Sequence, residues 1–305
     1  MRVVGIGQCS WDYLAVVDSF PASDSKAEVS EWQEQGGGPV ATALVALARL
    51  GITADFHGVV GDDREGAKIR ESLHSEGIDI SGLVTRNMAL SQKAFIAIER
   101  KSAKRTIFWE RPSGAPLLPV ELPEALLADC CFLLLDGLMS ETSLFAAKKA
   151  RSLGIPVMLD AGKVRPGMLK IARSCDYLVA SEQFALDLGW AGDPAAFQPQ
   201  AKRLGAPVVT ITLGERGSVT YRDSEIICLP AFPVEARDTT GAGDVFHGAY
   251  AYGLLRGLDL RDTIRFASAA AAMKCRMIGG RAGIPDQAQA LGFLAENKCS
   301  ISFPD

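Results

Sequence analysis

A chain of 305 residues, 48% hydrophobic and 22% charged, can bury a core large enough to fold without disulfide or metal staples. Its net charge of -4 offers no basic field to a nucleic-acid backbone, and its longest apolar run, Cys130 to Leu135, is far too short to cross a bilayer. Seven scattered cysteines, odd in number and without a C-x-x-C pair, fit neither a disulfide framework nor a zinc site. They point to the reducing cytoplasm, with no nucleic-acid or membrane partner.

Met1-Arg2-Val3-Val4-Gly5 enters a strand directly, without the charged start and apolar stretch of a signal peptide. The first strand is predicted over 3–7. Residues 13–35 then alternate polar and apolar side chains, which suits strands with one wet face. A helix over 39–50 follows, opened by Pro39 and closed by Gly51. A strand over 54–60 and a helix over 64–76 come next, before a second alternating stretch over 91–110. Beyond it, strands over 132–136, 157–160, 177–180 and 208–213 are interleaved with helices over 142–153 and 194–204. Three helices, over 241–255, 260–277 and 287–297, end the chain. Apolar strands alternating with helices predict an α/β fold with a mostly parallel central sheet covered on both faces. The two wet-faced stretches predict a small sheet standing off it, either a lid over a site or a surface for dimer contacts. The whole of 1–305 reads as one domain.

The segment richest in chemistry is Asp238-Thr239-Thr240-Gly241-Ala242-Gly243-Asp244, which opens the apolar helix Val245-Phe246-His247-Gly248-Ala249-Tyr250. Small residues at a helix start let backbone N–H groups converge on an anion, and the helix dipole adds about half a positive charge there. Asp244 beside such a phosphate site would serve as proton acceptor for an incoming hydroxyl, or would simply favour the first helical turn. Gly36-Gly37-Gly38-Pro39 lets backbone amides approach a ligand, as it would any tight turn before a helix. Asp12, just past the first strand, is placed to accept hydroxyls of a polyol or to sit on a wet turn. Lys26, in the first wet-faced stretch, faces either an anionic ligand or solvent. Gly5-Ile6-Gly7 lacks the third glycine of a dinucleotide fingerprint, and His57, His74 and His247 lack metal spacing.

The phrase Asp238-Thr239-Thr240-Gly241-Ala242-Gly243-Asp244-Val245-Phe246 resembles the C-terminal signature of the PfkB, or ribokinase-like, carbohydrate kinases. Gly36-Gly37-Gly38-Pro39 resembles their di-glycine substrate signature, with Ala41 where many relatives carry Asn. The resemblance runs from Gly5 to about Asp286, and in wording is nearest to the sulfofructose kinase branch, although no arginine stands near Asp136-Gly137-Leu138. It implies a ribokinase-like three-layer α/β/α sandwich with a small β-sheet lid, pairing as a homodimer through that lid. It further implies phosphoryl transfer from ATP, with Mg2+, to a hydroxyl of a small sugar. By the same resemblance Asp244 is the base and Gly241, Ala242 and Gly243 form the anion hole. Asp12, Gly37 and Gly38 would bind the sugar, while Thr212, Gly214, Gly217 and Gly280 would bind the nucleotide. Asp238 and Thr240 would lie near a monovalent cation such as K+. The N-x-x-E element tied to magnesium falls near Ser181-Glu182-Gln183-Phe184, where both signature positions differ. Rival expectations are a nucleoside kinase, with Trp32 or Trp109 stacking on the base, and a sugar-binding regulator that has lost catalysis.

Overall fold

In a computed structural model, which describes residues 1–304, the chain runs through β1 (Arg2–Ile6), β2 (Ser10–Val17), β3 (Glu31–Gly37), α1 (Pro39–Arg49), β4 (Thr53–Gly61), α2 (Arg64–Ser75) and β5 (Leu83–Arg86). It continues through β6 (Lys93–Glu99), β7 (Arg105–Glu110), β8 (Cys130–Leu135), α3 (Ser140–Ser152), β9 (Val157–Ala161), α4 (Met168–Ala172), β10 (Tyr177–Ser181) and α5 (Glu182–Asp187). The last third holds α6 (Phe197–Leu204), β11 (Val208–Thr212), β12 (Ser218–Arg222), β13 (Glu225–Leu229), α7 (Ala242–Leu255), α8 (Leu260–Lys274) and α9 (Gln287–Glu296).

Nine strands form the main sheet in the order β13-β12-β11-β10-β9-β8-β1-β4-β5. The strands from β11 to β5 are parallel, and β12 and β13 add an antiparallel edge. Both faces are dry, so the inner strands read as continuous apolar runs, with Val3 packed to one side and Val4 and Ile6 to the other. One covering layer contains α1, α2, α7, α8 and α9, and the other contains α3 to α6. Helix α7 is buried on every side from Val245 to Gly253. It lies against α1 so closely that a Cβ on Gly248 would be 2.4 Å from the Ala43 carbonyl oxygen.

The alternating stretches form a separate four-stranded sheet, β3-β2-β6-β7. Its inner face carries Leu14, Val16, Ala94, Ile96 and Ile98, which pack with Ile278 in a small core of their own. The sequence missed the β12–β13 hairpin. Asp223 and Ser224 both take positive φ at its turn, 48° and 70°, a geometry that Asn-Gly would have announced and Asp-Ser does not. Short β5, α4 and α5 were also missed.

Candidate active site

The carboxyl ends of β9, β10 and β11 face the inner surface of the small sheet across a cleft of about 350 Å3. Asp160, Ser181 and Thr212 come from the strand ends, while Asp12 and Trp109 come from the lid. Parallel strands expose their carboxyl ends on one edge, and ligands of open α/β sheets lodge there.

The cleft floor is the start of α7. Gly241 takes φ of +72°, and a Cβ there would lie 2.8 Å from the Gly280 Cα, so the turn needs glycine for both conformation and space. Ala242 N–H makes a long bond, 3.3 Å, to Thr239 O. The Gly243 and Asp244 amides, in the first turn, have no acceptor within the helix, and no side chain caps α7. Asp244 is reached from the cleft mouth and otherwise enclosed. Burial, reinforced by the neighbouring Asp160 carboxylate, pushes its pKa up to about 7, against the pull of His247 and Arg105. Arg105 reaches down from β7, and its Nη1 donates to Thr239 Oγ1 at 2.7 Å, tying the lid to the floor.

The opposite wall belongs to β2 and the glycines at the end of β3. Asp12 is 7% exposed, accepts the Ser10 hydroxyl at 2.8 Å, and is pushed up to about 6 by burial. A Cβ on Gly37 would stand 2.1 Å from Asp12 Oδ2, and one on Gly38 (φ +96°) 2.3 Å from Gln8 O. One glycine therefore makes room for a carboxylate and the other for backbone. Arg281, 4% exposed, holds this wall from behind by donating to Gly37 O at 3.1 Å. Ala41 is wholly buried in the core and brings no polar group to the cleft.

Several cleft residues carried no signal in the sequence. Asp160 and Gln92 line the cleft, and their Oδ2 and Oε1 atoms are buried without a hydrogen-bond partner. His247 Nδ1 lies 2.5 Å from Gly243 O and 3.3 Å from Asp160 Oδ2, and Nε2 lies 3.0 Å from Val179 O. This ring is packed and hydrogen-bonded beneath Asp244. Only the strand-terminal position of Asp160 could have hinted at its place.

The expected residues divide. Asp12, Gly38, Thr212, Thr240, Gly241, Gly243 and Asp244 line one cleft, with Gly37 and Gly280 directly behind it. Lys26 is exposed in the β2–β3 connection and does not line the cleft. Gly214 (φ +60°) is exposed past β11, but Gly217 is glycine for another reason: its Cβ would meet Leu229 O at 2.0 Å. Ser181 caps α5 by accepting Phe184 N–H, and Phe184 is buried, which accounts structurally for both altered signature positions. Glu182 is ion-paired with Arg216. Asp238 is fully buried. Its Oδ1 accepts Thr240 N–H at 2.8 Å and Thr240 Oγ1–H at 2.7 Å, and its Oδ2 accepts Gly279 N–H at 2.7 Å.

Beside the cleft lies a second cavity of about 390 Å3, lined among others by Arg111 and Arg165. Neither pairs with a carboxylate among the described residues, and the Arg111 guanidinium sits 4.7 Å over the Trp109 ring, joining the two walls.

A family model described as pfkB family carbohydrate kinase matches residues 1–287. The ribokinase of Bacillus subtilis is 29% identical, over 92% of this chain and 94% of that protein. The nucleoside kinase of Methanothermobacter thermautotrophicus is 27% identical, over 95% and 94% respectively. Among solved structures, the ribokinase of Thermotoga maritima superposes with a TM-score of 0.79 at 27% identity, covering 96% of this chain and 99% of that one. Arabidopsis thaliana ribokinase, solved with ribose and ATP, gives 0.81 at 23% identity over 96% and 98%, which speaks for the fold.

Proposed function

The chain belongs to the pfkB family of carbohydrate kinases, phosphotransferases with an alcohol acceptor, and we propose that it transfers the γ-phosphoryl group of ATP to a hydroxyl of a small sugar, with Asp244 as base. The observation that carries this is the pairing of Asp244, at the start of α7, with Asp12 across one cleft. Asp12, with Gln92 lining the same cleft, accepts hydrogen bonds from sugar hydroxyls and fixes the ring. The reacting hydroxyl then lies between Asp244 and the γ-phosphorus. As its oxygen bonds to phosphorus and the bond to the β-phosphate bridging oxygen breaks, its proton passes to the Asp244 carboxylate. A base whose pKa stands near the working pH is well matched to that transfer. Charge on the moving phosphoryl group is met by the Gly243 amide and by Arg105, the sort of fixed positive field that this loose transition state needs. Ile96, Ile107 and Trp109 roof the site and keep out competing water.

Thr212 and the turn at Gly214 are proposed to meet the nucleotide, while Gly280 supports Gly241 from behind. When bound with ATP, Mg2+ would supply positive charge to offset the negative charge of the phosphates. Asp160, a carboxyl that lines the cleft and has an oxygen without a hydrogen-bond partner, is the residue that would hold it, directly or through water. We place the protein in the cytoplasm, where ATP is supplied. A second copy is proposed to cover the outer face of the lid, where Trp32 is 61% and Phe108 53% exposed beside Phe20 and Phe95.

ADP release screened over sugars, sugar acids, sulfosugars, sugar phosphates and nucleosides tests the reading. Acids and phosphates are included because the arginine-lined cavity adjoins the cleft. Acceptor-dependent ADP release with a sugar, lost in Asp244→Asn while ATP still binds, is the expected result. Turnover with nucleosides alone would favour the second reading, in which Trp109, inside the cleft, stacks on a base; Trp32 lies outside it. ATP binding without ADP release from any acceptor would leave a regulator.

A further inference from the structure

The loop from Asp238 to Thr240, directly before the anion hole, is where the sequence led us to expect a potassium ion. The residues present do not fit one. The Asp238 carboxylate already accepts three N–H or O–H donors, and its main-chain carbonyl accepts a fourth, the Lys274 ammonium at 2.8 Å. Lys274 is the last residue of α8 and has no exposed surface.

A lysine so placed is expensive. Removing a unit charge from water is strongly unfavourable unless it is compensated, and ordering a long side chain adds an entropic cost. A leucine or methionine would fill the same space more cheaply. Burial pulls the Lys274 pKa below the usual lysine value, and the Asp238 carboxylate is the largest of the charges that oppose this pull. Asp244 also draws it toward the charged form, while Arg105 works the other way. Two loops are joined around this pair. Arg237 N–H and Asp238 N–H both donate to Cys275 O, next to Lys274, and Gly279 N–H returns to Asp238. A tethered positive charge thus sits behind the turn that presents Gly241, Ala242 and Gly243.

We propose that the Lys274 ammonium is the built-in cation of the Asp238–Thr240 loop, so that the protein orders its anion hole and turns over without bound potassium. Lys274 is a positioning residue in this role, since it acts through Asp238 and not on the phosphate. The turnover part rests on the kinase reading above, whereas the binding part does not.

Two measurements on the purified full chain test it, comparing potassium, sodium and choline chlorides at matched ionic strength. In the first, Tm without substrate and the thallium-205 NMR line of added thallous ion report whether a monovalent cation binds. No potassium-specific rise in Tm and no thallium broadening are expected, whereas a potassium-dependent rise would overturn the proposal even if no acceptor had been found. In the second, ADP release with an accepted sugar should be equal in the three salts, and activation several-fold by potassium would refute it. Lys274→Met should lose turnover in choline and regain part of it with potassium or ammonium, a rescue that a packing role would not produce. A folded Lys274→Met with unchanged turnover in choline would sink the idea. Should that variant not fold, the wild-type salt series decides alone.

Discussion

The pKa of Asp244 sets how the reaction depends on pH. In water its carboxyl would titrate near 3.8, but burial and then Asp160 push it up to about 7. At about pH 6 only about a tenth of such a group is ionised, and at about pH 8 about nine-tenths, so kcat/KM should climb about tenfold over that span. An Asp244 of ordinary acidity would be fully ionised throughout and give a flat profile. Asp160→Asn removes the second cause and should move the rising limb to lower pH, while Arg105→Gln removes an opposing charge and should move it higher. Initial rates of ADP release with a saturating nucleotide and subsaturating sugar give the profile. A flat response between about pH 6 and 8, or a limb indifferent to both substitutions, would refute the assignment.

The same shift has a consequence for stability. A carboxyl with a raised folded pKa holds its proton more tightly in the folded state, so its contribution is complete below the unfolded value and is lost as pH rises through about 7. A shift of about three units corresponds to at most about 4 kcal/mol, and the open cleft mouth reduces this to about 1–2 kcal/mol. Asp244→Asn should therefore raise Tm by a few degrees at about pH 8 while stopping turnover, with little change at about pH 4.

Gly37→Ala should drive the Asp12 carboxylate from its place, because the new Cβ would fall 2.1 Å from Oδ2. KM for the sugar should rise at least about tenfold with KM for ATP unchanged, the value of one lost charge-assisted hydrogen bond of about 1.5–3 kcal/mol; an unchanged sugar KM would remove Asp12 from the binding site. Trp32→Arg with Phe108→Arg places two charges on the exposed aromatic face of the lid. Sedimentation equilibrium should then find monomers where the parent chain is dimeric, and a parent that is itself monomeric would dispose of lid pairing.

Much of this architecture was legible beforehand, because the patterns involved are local. Apolar strands buried on both faces, as at β8, and helices opened by Pro39 or closed by Gly51 follow from residues near one another in the chain. Alternation in β6 and β7 marked the lid, and the small residues Gly241 to Gly243 followed by Asp244 marked a helix start that opens onto the cleft. What adjacency cannot specify is which distant ends converge. Asp160, Gln92 and Arg105 are unremarkable in sequence, and become site residues only because the strand order sets the end of β9 beneath the lid. Lys26, equally polar, was carried out to solvent on a connection. The steric need for glycine at Gly217 was not legible, because it comes from the β12–β13 hairpin, unannounced by its turn, which brings Leu229 O against it. Lys274 follows the apolar run Ala269 to Met273 at the end of its helix, and only the fold places its ammonium against the Asp238 carbonyl, 36 residues away. Periodicity and turn chemistry are properties of neighbours along the chain, whereas charge compensation and cleft geometry arise between segments that only tertiary packing brings within reach.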